Sequence, residues 1–354
     1  MALSDLPIEL IDTIFEPLSA STLAVLSRTS QLFKPCASRL LYRHLALSSV
    51  TRNLSAVNTL ASRPHLSPLV RKFSLTIEDD AADLDQKYYV RLSQALRSLQ
   101  DVTSLELHID ANLSWVLPKS SSYPHLRHFS CSFGLDKDVT MFLTRTPALR
   151  SLQLAAESPN CCPLPRSAVP NLISYTGPPN LLPQLLPARP LNSLHLSGDL
   201  TIEDIEHFTD APTPTATHPH CRDRWSTPTT SGADAIETLS TITSAHPVSV
   251  IEALAGACPN LVSLQLIASY AFWQAPDITF CTRVSAALSH LRHLNAFELS
   301  GIHWQFRNRE ILTTDGTCVE KEWMSPPVTP RLDAMEGLGG GDWEFDEAFM
   351  EWAY

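Results

Sequence analysis

The hexapeptide LRSLQL at positions 149–154 returns as LNSLHL at 191–196 and as LVSLQL at 261–266. The shared template is apolar-x-x-apolar-x-apolar. It also fits the hexapeptides that begin at Val70, Val102, Leu126 and Leu294, with weaker matches at Leu172/Tyr175 and Ile236/Leu239. A chain that repeats one short apolar spacing along most of its length is limited to architectures in which one structural unit is stacked many times.

The period of this repeat predicts the kind of unit. Template starts at 102, 126, 149, 172 and 191 are separated by 24, 23, 23 and 19 residues, which is the range of a leucine-rich repeat. The last two apolar residues of each match lie two positions apart, so they point from one face of a short strand into the core. Between strands, apolar residues recur at helical spacing, as in 87–100. The sequence therefore predicts an α/β fold, an irregular leucine-rich-repeat solenoid with parallel strands on its concave face and helices on its convex face.

The same strands turn a second set of residues toward the concave face. Small polar residues dominate this set, with neither a Lys/Arg stripe nor a convergent catalytic arrangement in the two columns that flank the central core position. We therefore expect a flat, nearly neutral surface that binds a target protein. The predicted target-binding residues are Ser104, Glu106, His128, Gln153, His195, Gln265 and Glu298.

Net charge excludes two classes of partner. The chain has 354 residues and a formal charge of −11, from 26 Lys plus Arg against 37 Asp plus Glu. Nucleic acid and anionic membranes are repelled by such a field, so neither is expected as a partner. Asp5 and Glu9 stand where a secretory signal would be basic and then apolar, so we expect a cytoplasmic or nuclear protein whose eight cysteines are reduced.

Motifs for chemistry are sparse. The sequence has no nucleophile elbow, no phosphate-binding glycine loop and no Cys-x-x-Cys. His218, His220 and Cys221 stand together, but in a Thr/Pro-rich stretch that cannot build a core. We therefore predict no catalytic residues, no metal and no cofactor, and an enzyme that uses Cys or His has no supporting constellation.

Two segments do not follow the repeat. The stretch at about 209–232 is predicted to be a disordered insertion, in which Thr213-Pro214 and Thr227-Pro228 would suit a proline-directed kinase. The extension 311–354 ends in alternating acidic and aromatic residues. That tail is typical of docking segments, but it could equally fold back onto the last repeat.

The first 48 residues have a different texture and predict three short helices. Pro7 suits a first helical turn and Pro17 ends that helix, Ser19 or Ser21 caps a second helix that reaches about Leu32, and a third runs from near Pro35 to Leu45. So few residues cannot hide all their apolar side chains from water. Part of this surface could cap the open end of the solenoid, and the rest is available to another protein.

This N-terminal stretch resembles an F-box. The resemblance rests on Leu6, Pro7, Glu9, Ile14, Leu18, Ser19 and Leu23, and an F-box followed by irregular leucine-rich repeats is similar to many fungal proteins of this build. Membership would imply the substrate receptor of a Skp–cullin–F-box ubiquitin ligase, a role in ubiquitin-dependent degradation. It implies docking onto a Skp-type adaptor, and through it a cullin, by Leu6, Pro7, Ile8, Glu9, Ile14, Leu18, Leu23 and Leu26.

The expected organisation is thus an F-box-like domain at 1–48, a solenoid at 49–310 and the extension at 311–354. The alternative is a leucine-rich-repeat scaffold that binds proteins and whose N-terminal helices only cap the solenoid.

Overall fold

A computed structural model of the protein describes residues 7–51, 53–77, 84–155, 161–187, 189–209, 232–269, 278–313 and 316–324. Its strands are β1 (His44–Ser48), β2 (Lys72–Thr76), β3 (Ser104–His108), β4 (His128–Cys131), β5 (Ser151–Leu154), β6 (Ser174–Gly177), β7 (Ser193–Asp199), β8 (Thr238–Thr243), β9 (Ser263–Ala268), β10 (Ala296–Leu299), β11 (Ile302–Thr313) and β12 (Gly316–Met324). Its α-helices are α1 (Ile8–Phe15), α2 (Ala20–Thr29), α3 (Lys34–Arg43), α4 (Ala56–Ser62), α5 (Gln86–Ser98), α6 (Lys137–Leu143), α7 (Leu182–Leu185), α8 (Ile202–Thr209), α9 (Pro247–Ala257) and α10 (Ile278–Ser289).

The twelve strands form one sheet in which spatial order follows chain order. Strands β1 to β10 are parallel, and the register aligns equivalent template positions, as in Leu105 with Phe129 and Leu152 with Tyr175. Helices and irregular segments connect these strands, which is the crossover that parallel pairing requires. The repeated template therefore predicts β2 to β10 correctly.

The core lies between the sheet and the connecting segments. The first template position of each repeat is fully buried, from Val70 to Leu294, and the two strand positions that follow pack beside it. On the helical side, α5 contributes Leu92, Ala95 and Leu96, which recur at the three- and four-residue spacing of one helix face. These residues join one continuous apolar cluster that runs from β1 to β12.

Local signals explain where the helices begin. The carboxylate of Asp136 caps α6 by accepting from the Val139 amide at 2.9 Å, and Asp85 caps α5 through the Lys87 amide at 3.3 Å. Ser19 caps α2 by accepting from the Thr22 amide. Of the two serines that the sequence offers for this cap, the structure uses the first.

Arg189 holds together the repeat between β5 and β7, which has little regular helix. Its guanidinium is buried, and it donates to the carbonyls of Ala168, Pro165, Gln184, Leu185 and Pro187 at 2.6–3.4 Å. Burial lowers the pKa of this guanidinium. One side chain thus satisfies several carbonyl groups that a longer helix would have paired within itself.

The ends of the sheet differ from the sequence prediction. The third N-terminal helix stops at Arg43 rather than Leu45, because His44–Ser48 pairs with β2 as a parallel strand. The second helix ends at Thr29 rather than near Leu32. At the other end, β10 pairs antiparallel with β11, and β11 with β12, so a hairpin closes the sheet across the predicted boundary at 310.

Several predictions concern residues outside the described ranges. These are Leu6, the Thr/Pro-rich stretch apart from its two ends, with Thr213, Thr227 and the His218–Cys221 group, and the acidic-aromatic tail.

Candidate protein-interaction site

The three N-terminal helices build a small core of their own. Ile11, Phe15, Leu23, Cys36 and Ala37 are its buried members. The Phe15 ring meets Phe33 edge to face, with centroids 5.4 Å apart. This cluster is separate from the core of the solenoid.

Around this small core, large apolar side chains stay in water. Ile8 is 48% exposed and Ile14 is 43% exposed, and both were predicted to contact an adaptor. Leu10, Val25 and Leu32 are 49–58% exposed. Leu10 and Ile14 lie four residues apart, so they share one face of α1. The result is the surplus apolar surface that the sequence predicts for this segment.

The other predicted adaptor residues differ in exposure. Pro7 and Glu9 are exposed, whereas Leu18 and Leu26 are half-buried against the small core. The prediction that Leu23 contacts an adaptor needs correction, because Leu23 is buried. It packs in the small core with residues of α1 and α3, so it stabilises the helices and offers no surface. The sequence assignment missed Leu10, Val25 and Leu32, although each was visible as apolar surface that three short helices cannot hide.

A polar cavity of about 580 Å³ lies where the helices meet the solenoid. Asp12 and Arg39 form an ion pair on its wall, and Glu16, Arg43 and Arg71 also line it. Burial lowers the pKa of His44 in the same wall, and the nearby charges of Lys72 and Arg43 lower it further. The junction is therefore polar and contains several positive groups.

The solenoid offers a second surface. We define the outer face as the residues of β1 to β10 that point away from the core, together with the residue that precedes each strand. The seven predicted target-binding residues all belong to it, and the strand register brings Ser104 beside His128 and Gln265 beside Glu298. The prediction that Ser104 contacts a target needs correction. Ser104 is buried, its hydroxyl points toward Glu106, and it offers little surface.

Towards the C-terminal end of the outer face, polar side chains bond to one another across strands. The Ser240 hydroxyl donates to the Gln265 amide oxygen at 2.8 Å, and the Gln265 amide donates to Glu298 at 3.1 Å. His303 lies 3.4 Å from Glu298. These pairs hold Gln265 and Glu298 in fixed orientations on a half-buried surface.

Towards the N-terminal end, a cavity of about 500 Å³ lies over β2 to β5. Its lining includes the predicted residues Ser104, Glu106, His128 and Gln153. The lining residues that the prediction lacks include two positively charged ones, Lys72 and Arg127. Lys72 also lines the junction cavity, so the two hollows adjoin.

Positive residues gather at this end of the outer face, beside the two columns that are expected to be nearly neutral. Arg43, Arg71, Arg127 and Arg150 each precede a strand, at positions outside the two columns from which neutrality was inferred. All four are exposed. The signal was present in the sequence as the second residue of the template, which is Arg in three of the first four matches.

Within the described part of the chain, no group of three or more His, Cys, Asp or Glu side chains is placed to hold a metal ion. Burial raises the pKa of Cys131 and of Cys258 to about 12, so these thiols stay protonated at neutral pH. None of the described helices is long and apolar enough to cross a membrane.

Comparison with known proteins gives little. No protein-family model matches the chain, and no curated protein matches its sequence. Among solved structures, the chain is similar to one described as the crystal structure of the Rad7 and Elc1 complex in yeast. The match has 16% identity and a TM-score of 0.35, and it covers 83% of this chain and 69% of that one. A likeness of this size has no bearing on function.

Proposed function

We propose that this protein is a substrate-recognition subunit of a Skp–cullin–F-box ubiquitin ligase. The N-terminal helices would bind a Skp-type adaptor, and the outer face of the solenoid would bind the target. One observation carries the proposal: α1 and α2 expose Ile8, Leu10, Ile14 and Val25 in the segment that resembles an F-box.

The three N-terminal helices leave as many large apolar side chains exposed as they bury in their core. Their buried core has five members, whereas five large apolar side chains on or beside the same helices are 43–58% exposed. Contiguous apolar surface that the fold leaves in water marks a place where another protein binds. Burying such groups costs no hydrogen bonds, and it contributes about 25 cal/mol for each Å² removed from water.

The alternative function, a scaffold whose helices only cap the solenoid, is less well supported. A cap must merge its apolar side chains with the core of the first repeat, because its purpose is to keep that core from water. Here Tyr42 of α3 packs against the solenoid core, but the fully buried residues form two separate clusters and a polar cavity lies at the junction. The first repeat is instead covered by α4 and the 3₁₀ helix Pro64–Leu69, through Val57, Leu60 and Leu66.

In this proposal the protein itself catalyses nothing. It would hold a lysine of the target near the ubiquitin carrier, which raises the effective concentration of the two reacting groups. The helices and the outer face would then supply two binding reactions.

The test is co-expression of the full chain with a Skp adaptor, followed by size-exclusion chromatography. We expect the two to co-elute, and we expect Ile8→Asp with Ile14→Asp to abolish co-elution. Two unpaired carboxylates in an apolar contact cost several kcal/mol, roughly a hundredfold or more in affinity.

The matched control is Val50→Asp with Val90→Asp, which places two carboxylates at exposed apolar positions outside the three N-terminal helices. It should co-elute normally. Co-elution of the Ile8/Ile14 variant, or failure of the folded wild-type chain to bind, would leave the capped scaffold as the better account.

A further inference from the structure

Positive charge on the outer face is arranged in a row. Backbone hydrogen bonds join the residues that precede successive strands: Arg71 donates to Arg43 at 2.9 Å, Thr103 to Arg71 at 2.7 Å, Arg127 to Thr103 at 2.9 Å and Arg150 to Arg127 at 2.8 Å. Each step therefore advances by one strand spacing of about 4.8 Å. The backbones of four arginines and one threonine thus stand in line along the edge where β1 to β5 begin.

Lys72, the first residue of β2, adds a fifth full positive charge, and His44 and His128 occupy the equivalent positions on β1 and β4. The only carboxylate on this half of the outer face, among the described residues, is Glu106. We call this half, over β1 to β5, the basic half.

The remaining half of the outer face is different. The residues that precede β6 to β10 are Ile173, Asn192, Glu237, Val262 and Asn295, and the outward strand positions contain no Lys or Arg. Glu237 and Glu298 lie on this half. One continuous sheet thus has a basic half and a neutral-to-acidic half.

Most of the positive groups are not engaged by neighbours. Arg71 donates to the Asp101 carbonyl at 2.9 Å and lies 3.9 Å from the Asp101 carboxylate. Arg43, Lys72, Arg127 and Arg150 have no ion pair with any residue that the structure describes. Burial lowers the pKa of His44, and the charges of Lys72 and Arg43 lower it further, because both oppose protonation of the imidazole.

We propose that the basic half binds an extended acidic segment of a partner protein, with several Asp or Glu side chains. Five strands span about 19 Å across the sheet, which an extended segment of about six residues covers. Carboxylates suit this row because guanidinium groups pair with them through two parallel hydrogen bonds. The inference rests on the proposed function, in which the outer face receives the target, and it names the chemistry of that target.

A protein segment fits better than a nucleic acid. Proteins that bind single-stranded nucleic acids stack the bases on aromatic rings, mostly Phe, Tyr and Trp, and the described outer face of β1 to β5 has none of these three residue types. A longer duplex would meet Glu237 and Glu298 on the other half, in a chain whose net charge is −11. The short positive row limits binding to a short anionic segment.

The test uses the full chain and fluorescence anisotropy. The probe is a labelled hexapeptide of alternating Asp and Glu with Gly-Ser flanks, and its amide counterpart has Asn and Gln at the same positions. We expect the acidic peptide to bind at 50 mM salt at least tenfold more tightly than the amide peptide. Lys72→Glu with Arg127→Glu should weaken binding of the acidic peptide at least tenfold.

The matched control is Arg97→Glu with Lys137→Glu, which changes the net charge equally at exposed positions on the helical side. It should weaken binding less than twofold. Equal binding of both peptides, equal loss in both variants, or tighter binding of a single-stranded oligonucleotide through Lys72 and Arg127 would each overturn the inference. Co-elution with the adaptor, measured on the same preparations, reports the proposed function separately, because none of the substituted residues lies on α1 or α2, where the proposed adaptor surface is.

Discussion

The N-terminal helices and the solenoid bury their apolar side chains to different extents. The solenoid stacks its repeats so that each one buries the apolar face of the next, and its core runs without a break from β1 to β12. The helices bury five side chains and leave Ile8, Ile14 and their neighbours in water. The solenoid therefore buries its apolar side chains within its own repeats, whereas the helices leave apolar surface that the proposed adaptor would cover.

The largest effect should come from the core of the solenoid. Phe129 is buried against Phe142, with ring centroids 4.8 Å apart. Phe129→Ala removes this packing and leaves a cavity, so we expect a loss of about 3–5 kcal/mol in the free energy of unfolding. Chemical denaturation followed by circular dichroism measures it. A loss below about 1 kcal/mol would show that the repeats are packed loosely, which would contradict the continuous core described for the solenoid.

Arg189→Leu should lower the free energy of unfolding by a smaller amount, because it leaves several buried carbonyl groups without a hydrogen-bond donor. We expect roughly 3 kcal/mol, measured by the same denaturation. Arg166→Leu is the matched control, since Arg166 is exposed in the same irregular segment and should change stability by less than about 0.5 kcal/mol. Equal effects of the two substitutions would mean that the buried guanidinium does not hold this repeat together.

The smallest effect on the main unfolding transition should come from Phe15→Ala, although Phe15 is as buried as Phe129. Its cluster is separate from the solenoid core, so the variant should lose the small core and adaptor binding while the main transition keeps its midpoint. Denaturation and co-elution with the adaptor check the two halves of this prediction. A midpoint shift as large as that of Phe129→Ala would show that the helices and the solenoid unfold as one cooperative unit.

Sequence reasoning succeeds here where structure is encoded locally. The template places β2 to β10 because the first apolar position and the two strand residues lie within six positions of one another. It fails at β1, where Tyr42, Leu45 and Leu47 fit the template but also continue the third helix. Pairing with β2 decides between the two, and that is a tertiary contact.

The hairpin of β11 and β12 was missed although its signals are present. Ile302, Trp304 and Phe306 alternate with polar residues, which is typical of a strand with one buried face. These residues carry no repeat spacing, so a search for the template passes over them. The hairpin then covers the last repeat with Trp304 and Trp323, which pack on Phe297.

The candidate surfaces also contain features that the local sequence predicts and features that depend on tertiary contacts. The N-terminal apolar residues were predictable in kind, but the burial of Leu23 depends on how three helices meet. On the solenoid, the row of Arg43, Arg71, Arg127 and Arg150 appears once the register aligns the residues that precede successive strands, which are 23–32 positions apart. Charge patterns of this type are visible in the sequence only when every column of the repeat is compared.

Hydrogen exchange on the full chain, with and without a saturating Skp adaptor, tests the central claim most directly. The account predicts that the adaptor slows exchange of amides in α1 and α2 and leaves β3 to β9 unchanged, since the proposed adaptor surface lies on those two helices. Binding without added protection in α1 and α2, or with protection confined to the strands, would contradict it.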